Sequence, residues 1–250
     1  MTMKFPIALQ PYTIREELDK NFFGSFQRVA DIGYQGVEVG MPPKGITVEE
    51  MKSRLDNMAL QVISCHSSVE QLTSDLLAVT NFVNEMGGKY IVLSHRFNTK
   101  EEVLQSAKVF NQIGASTKEQ GIQFLYHNHD WEFIKFDEQY ALDILLDETD
   151  PDLVKLELDT YWVQKGGEDP ANYLRKLNNR CPLLHVKDME SDDDQFFAEV
   201  GEGILDFQEI IQVASDIGTE WLVVEQDLSR RDVFESIKTS YINLREMGVI

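Results

Sequence analysis

Two cysteines in 250 residues, Cys65 and Cys181, lie far apart and match no CxxC or zinc-ribbon spacing, which argues against a disulfide framework and against a thiolate metal site. Positive charge is also scarce. Lys and Arg number 23 against 43 Asp and Glu, leaving −20, and such a surface repels phosphate backbones and anionic lipid. Neither nucleic acid nor a membrane is therefore an expected partner. No stretch approaches the roughly 20 apolar residues of a membrane span, and Met1 to Gln10 lacks the basic start and long apolar run of a secretory signal. The cytoplasm is the expected address. No linker or low-complexity segment interrupts the chain, so residues 1–250 read as a single domain.

What the chain does contain is alternation. Short runs rich in Val, Ile and Leu predict strands at Pro6–Gln10, Gly36–Val39, Gln61–Cys65, Tyr90–Ser94, Ile122–His127, Lys155–Asp159, Leu183–Lys187 and Trp221–Glu225. Amphipathic stretches between them predict helices near 19–32, 47–57, 69–86, 100–119, 138–148, 169–178, 206–217 and 230–246. Thr47 and Thr99 each precede a Glu by three residues, as N-capping hydroxyls do, and Gly33, Gly87, Gly121 and Gly218 follow helical runs. Eight βα units in this length predict a (β/α)8 TIM barrel in preference to an open doubly wound sheet.

Chemically capable side chains fall where such a barrel keeps its active site. Histidine occurs five times, and His66, His95, His127, His129 and His185 all stand at or near the C-terminal ends of predicted strands. Glu38, Asp159 and Glu225 close the second, sixth and eighth strands, each after an apolar run in which a bare carboxylate is costly unless paired or bound to metal. Imidazoles and carboxylates without a thiolate suit a divalent ion such as Mn, Mg, Co or Zn.

These residues resemble the xylose isomerase-like sugar phosphate isomerases and epimerases over nearly the whole chain. The resemblance is carried by Gly33-Tyr-Gln-Gly-Val-Glu-Val39, Tyr126-His-Asn-His-Asp130, Glu157-Leu-Asp-Thr-Tyr-Trp162, His185-Val-Lys-Asp188, Gly201-Glu-Gly203 and Val224-Glu225, in that order. It implies a divalent metal held by one ligand from each of strands five to eight. Asp159, His185 and Glu225 match three of these positions. Where many members have Glu-Asn-His at the end of strand five, this chain has His127-Asn128-His129. His127 would then be the fourth ligand, and one carboxylate of the family's two-glutamate proton shuttle is missing.

The expected chemistry is proton abstraction next to the carbonyl of a small sugar or keto-sugar, giving an enediolate and then isomerisation or epimerisation. Glu225 doubles as base in this scheme, His127 is a ligand with a catalytic role, and Lys187 steadies oxyanion charge. Glu38, His66, His95, His129, Glu132 and Trp162 are expected substrate contacts, with Glu132 the loop residue that stands in for the missing carboxylate. Tyr12, Phe97, Trp131 and Tyr161 are further candidates for the pocket wall. Lys165-Gly-Gly167 is the nearest approach to a phosphate cradle, which favours a substrate without phosphate. Two alternatives stay open: a dehydratase or lyase acting on a keto-inositol or keto-sugar at the same metal site, and a metal-free carbohydrate-binding barrel. A multi-zinc DNA-repair nuclease would need more ligands and a basic face. A homo-oligomer is compatible with the sequence.

Overall fold

The computed structural model describes residues 4–249; residues 1–3 and 250, the ends of the expected single domain, lie outside them. All eight expected strands form, at Ile7–Leu9, Gly36–Val39, Gln61–His66, Tyr90–Leu93, Gln123–His127, Val154–Asp159, Leu183–Val186 and Trp221–Val224. They close into one parallel barrel in chain order, the first pairing with the eighth, so the fold is a single-domain TIM barrel. Among the described residues no helix is long and apolar enough to cross a membrane.

The helices depart from expectation where a short polar side chain caps from within. The stretch expected at 19–32 divides into Arg15–Lys20 and Phe22–Ile32, because Asn21 leaves helical geometry and its Oδ1 accepts from the Gly24 N–H. Asp75 does the same between Val69–Ser74 and Leu76–Met86. The Thr47 and Thr99 caps form as expected, on the Glu50 and Glu102 N–H groups. Sequence periodicity missed a six-residue helix, Thr160–Lys165, and two small hairpins, Lys135–Phe136 with Gln139–Tyr140 and Asp188–Met189 with Phe197–Ala198.

Alternation along the strands creates two cores. The larger lies between barrel and helices, while Ala8, Ile63, Tyr90, Val92, Leu125, Leu183 and Val223 pack together as a separate apolar cluster. These seven alternate with the outer core along their strands, as the side chains filling a barrel's interior do. Two residues further along the same strands come Gln10, His127, His185 and Glu225, which therefore sit directly above this plug. The third strand carries one extra residue against the second, since Val37 pairs with Val62 but Glu38 with Ser64. That bulge lets consecutive residues serve the interior, Ile63 in the plug and Ser64 as a hydrogen-bond donor to Glu38.

One loop over the mouth is held by a single carboxylate. Asp188 Oδ1 accepts from the N–H groups of Met189 and Leu205 at 2.8 and 3.1 Å, and Oδ2 from those of Gly201 and Gly203 at 3.0 and 2.9 Å. A Cβ on Gly203 would lie 2.3 Å from both Asp188 Oδ1 and the Met189 carbonyl oxygen, so only glycine passes here. Gly203→Ala should cost about 1–3 kcal/mol through overpacking and lost bonds to Asp188, while Gly40→Ala, with nothing within 4 Å, should be near neutral. Equal thermal midpoints for the two variants would disprove the cradle's importance.

Candidate active site

Strand register decides which polar groups meet. His127 pairs with Glu157, Glu157 with Leu183, and Asp159 with His185, so the sixth strand presents two carboxylates two residues apart on the interior face. Glu157 stands in register between His127 and the plug residue Leu183, with Asp159 two residues further along; both carboxylates are fully buried. An isolated buried carboxylate would be prohibitive there, and the neighbouring strands supply its counterparts.

The upper layer gathers the four side chains expected as ligands. His127, Asp159, His185 and Glu225 each offer an atom, and all four atoms lie within 4.8 Å of one another. His185 Nδ1 stands 3.0 Å from Glu225 Oε2 and 3.9 Å from Asp159 Oδ2. Lys187 Nζ, also buried, approaches Asp227 Oδ1 at 2.8 Å, Glu225 Oε2 at 3.2 Å and Asp159 Oδ2 at 3.5 Å. Asp159 Oδ1 caps the Thr160–Lys165 helix by accepting from the Trp162 N–H, but its Oδ2 has no hydrogen-bond partner among the described residues. A buried carboxylate oxygen without a hydrogen bond, beside three convergent ligand atoms, is what a divalent cation would complete. The donor set, two imidazoles and two carboxylates, suits such an ion.

Below it lies a second group. Glu38 Oε2 is 2.7 Å from His185 Nε2, 3.1 Å from His66 Nε2 and 2.9 Å from Gln10 Nε2, and its Oε1 accepts from Ser64 Oγ. Glu157 Oε2 is 3.0 Å from His127 Nδ1, 3.2 Å from His185 Nε2 and 3.3 Å from His66 Nε2. Glu38 and His66, expected at the substrate, are thus joined to the imidazole array, with His66 at its half-buried edge.

The charges respond to one another. Burial opposes the ammonium of Lys187, yet Glu225, Asp159 and Asp227 outweigh it and raise the pKa, so Lys187 stays cationic. Burial likewise opposes the cationic form of His185, and Glu157 and Glu38 raise its pKa well above the ordinary value. Burial pushes Asp159 up, against the pull of Lys187 and His127. His129 goes the other way: burial, then the fields of His127 and Lys187, hold its pKa down to about 2, so it is neutral.

His129 and Trp162 flank this array. The His129 ring stacks on Trp131 with centroids 3.9 Å apart and lies 5.5 Å from Trp162, whose ring is 4.9 Å from Lys187 Nζ. His129 Nδ1 and Trp162 Nε1 are buried without hydrogen-bond partners among the described residues.

Two further expected substrate contacts meet other partners. His95 packs edge-on against Phe97, itself buried, and uses its backbone to hold the Tyr126 hydroxyl. Glu132 is fully buried, with Oε1 2.5 Å from the Tyr126 hydroxyl and Oε2 accepting from the His129 N–H at 2.8 Å. It braces the loop from beneath and does not replace a carboxylate at the mouth. Of the expected wall aromatics, Tyr12 is largely exposed, and buried Tyr161 gives its hydroxyl to the Gln195 carbonyl. Glu157, Asp227, Gln10 and Ser64 were not singled out from sequence. Only Glu157 carried a usable signal, its period-two spacing from Asp159.

Comparisons with known proteins follow this geometry. The profile of the xylose isomerase-like TIM barrel matches residues 26–241. An inosose dehydratase of Clostridium beijerinckii is 27% identical, over 87% of this chain and 86% of that enzyme, and one of Clostridium tetani is 28% identical over the same shares. Among solved structures, a sugar phosphate isomerase/epimerase of Parabacteroides distasonis superposes with a TM-score of 0.82 at 27% identity, covering 98% of this chain and 94% of that one.

Glu132 yields a prediction about pH. The one proton of the Tyr126 hydroxyl cannot serve both the His95 carbonyl at 2.6 Å and Glu132 Oε1, so the carboxyl supplies the second proton. Burial pushes its pKa up from 4.5 to about 7. Below about pH 4.5 the carboxyl is protonated in folded and unfolded chains alike. As pH rises to about 7 only the folded chain keeps the proton, and about 3 kcal/mol of stability is lost. Glu132→Gln, which offers the same acceptor and donor, should remove this loss. Denaturant unfolding of both proteins from about pH 5 to 8 tests it, and parallel profiles would refute a protonated Glu132.

Proposed function

The chain belongs to the xylose isomerase-like TIM-barrel family, and on that premise we propose that it is a divalent-metal-dependent dehydratase of an unphosphorylated keto-cyclitol or keto-sugar. His127, Asp159, His185 and Glu225 would hold the ion. When bound, the ion would polarise the substrate carbonyl and acidify the adjacent C–H.

The observation that carries the reading is that the eighth strand leads into a carboxylate, Glu225, whereas the fifth ends in an imidazole, His127. Glu225, with Lys187 fixed 3.2 Å from it, stands on the eighth-strand side. On the fifth-strand side His127 directs Nδ1 to Glu157, and Glu132 is committed beneath the loop. Epimerisation needs a proton taken from one face and returned to the other. Dehydration needs one acid/base group: the α-proton it takes can pass to the departing β-hydroxyl, which leaves as water, and this fits that asymmetry. In this scheme Glu225 accepts the α-proton, and the Lys187 ammonium, held by three carboxylates, stabilises the developing enolate oxygen. His129 Nδ1 and Trp162 Nε1 receive substrate hydroxyls, and the indole face covers the apolar side of the ring. The names of the two Clostridium relatives support this chemistry. The Parabacteroides structure supports a second reading, isomerisation or epimerisation by the same enolisation.

Incubation with a keto-inositol and a panel of ketoses, followed by mass spectrometry, separates the two: loss of one water supports the dehydratase, and a product of unchanged mass supports the isomerase or epimerase. Elemental analysis should find about one divalent ion per chain and little in a double variant, Asp159→Ala with His185→Ala. A protein that takes up no Mn, Mg, Co or Zn but binds sugar tightly would refute both enzymatic readings in favour of a binding protein. Lys187→Met should lower kcat by about 10²–10³-fold with the ion retained.

A further inference from the structure

The two histidines proposed as ligands share a property that the four-ligand description leaves out. A neutral imidazole carries one N–H and one lone pair, and it can ligate only through the nitrogen that bears the lone pair. What lies against the other nitrogen therefore decides whether the ring is ready to bind. For His185 that partner is Glu38, whose Oε2 lies 2.7 Å from Nε2; with an ion in place this bond would hold the proton on Nε2 and leave Nδ1, 3.0 Å from Glu225 Oε2 and 3.9 Å from Asp159 Oδ2, to ligate. For His127 the partner is Glu157, whose Oε2 lies 3.0 Å from Nδ1 and leaves Nε2 for the ion.

Both glutamates are fully buried and neither reaches the mouth. His66 bridges them, its Nε2 lying 3.1 and 3.3 Å from their carboxylates. Glu38 is further fixed by Gln10 and Ser64. From these distances we infer that Glu38 and Glu157 are positioning residues, a buried carboxylate pair that sets the tautomer and basicity of the two imidazole ligands. The inference rests on the metal reading above.

A rival use of the same atoms exists. Glu38, His66, Glu157 and His185 also offer donors within 4.8 Å of one another, so the lower group could itself take a cation. The hydrogen bonding favours the positioning role. Glu38 already engages Gln10, Ser64, His66 and His185, and the close pairs in the lower group alternate N–H donors with carboxylate acceptors. In the upper group Asp159 Oδ2 makes no hydrogen bond among the described residues and has only the Lys187 ammonium, 3.5 Å away, as counter-charge. Glu157 Oε1 is also without one, so stoichiometry has to be part of the test.

The experiment is a Co(II) titration of metal-stripped protein, read by the visible absorption of the ion and by competition with a chromophoric chelator. Parent, Glu157→Gln and Glu38→Gln are compared, each checked for folding by thermal unfolding without metal. Glutamine keeps size and a hydrogen-bond acceptor but removes the charge. The inference expects one Co(II) per chain in all three, binding weakened by about 10–100-fold in each variant, and an altered visible spectrum. Because the two glutamates stand on different strands, failure of one variant to fold leaves the other to decide. Variants with the parent's affinity and spectrum would overturn the inference alone. Two Co(II) per parent chain, with one lost on Glu38→Gln, would overturn it in favour of a second cation site. A parent that binds no Co(II) would defeat it together with the metal reading, and is thereby distinguishable.

Discussion

Burial of Asp159 and Glu225 at one barrel mouth, with Glu38 and Glu157 beneath them, is the constraint around which the rest of the structure is organised. None could be ionised there alone, because the loss of hydration would exceed any other local gain. Each is tolerated through the others' partners: Lys187 answers Asp159 and Glu225, and His185 touches the upper and lower groups with opposite ring nitrogens. The mouth thus behaves as one electrostatic unit. Lys187 cannot release its proton readily, and His185 has neither nitrogen free for a separate duty. In the proposed scheme proton traffic with a substrate falls to Glu225, the least buried of the four carboxylates.

The barrel supplies what this unit needs at little cost in strain. Inward positions alternate along parallel strands, so a layer of Ala, Ile, Val, Leu and Tyr closes the barrel below and a polar layer follows two residues later. The bulge in the third strand adds one residue and allows Ser64 to reach Glu38 without displacing Ile63 from the plug. Asp159 is at once a helix cap and a proposed ligand, so the Thr160–Lys165 helix and the charged array fix each other's geometry.

Much of this was legible in the sequence, for reasons that can be stated residue by residue. Strands buried on both faces leave apolar runs, so all eight were found within one residue at each end. His127, Asp159, His185 and Glu225 each end such a run, and the fold alone brings them together. What escaped notice depends on side-chain direction. Glu157 lies inside a strand and could be read as inward only from its spacing to Asp159. Glu132 looks like an open loop charge, yet the loop folds back and seats it on Tyr126. The hairpins and the Thr160–Lys165 helix are too short for periodicity to register.

The Asp188 cradle separates two kinds of change along the chain. It fixes the backbone at residues 189, 201, 203 and 205, immediately after the strand that carries His185 and Lys187. Residues 190–196, between the two strands of the hairpin, stand clear of those anchors, and Glu190 and Asp192 meet Arg230 in exposed ion pairs. Length and composition can drift in that lip without moving the charged unit beneath it. The hairpin tip and the charged unit therefore stand on separately anchored segments, and the tip can change shape while the unit keeps its geometry.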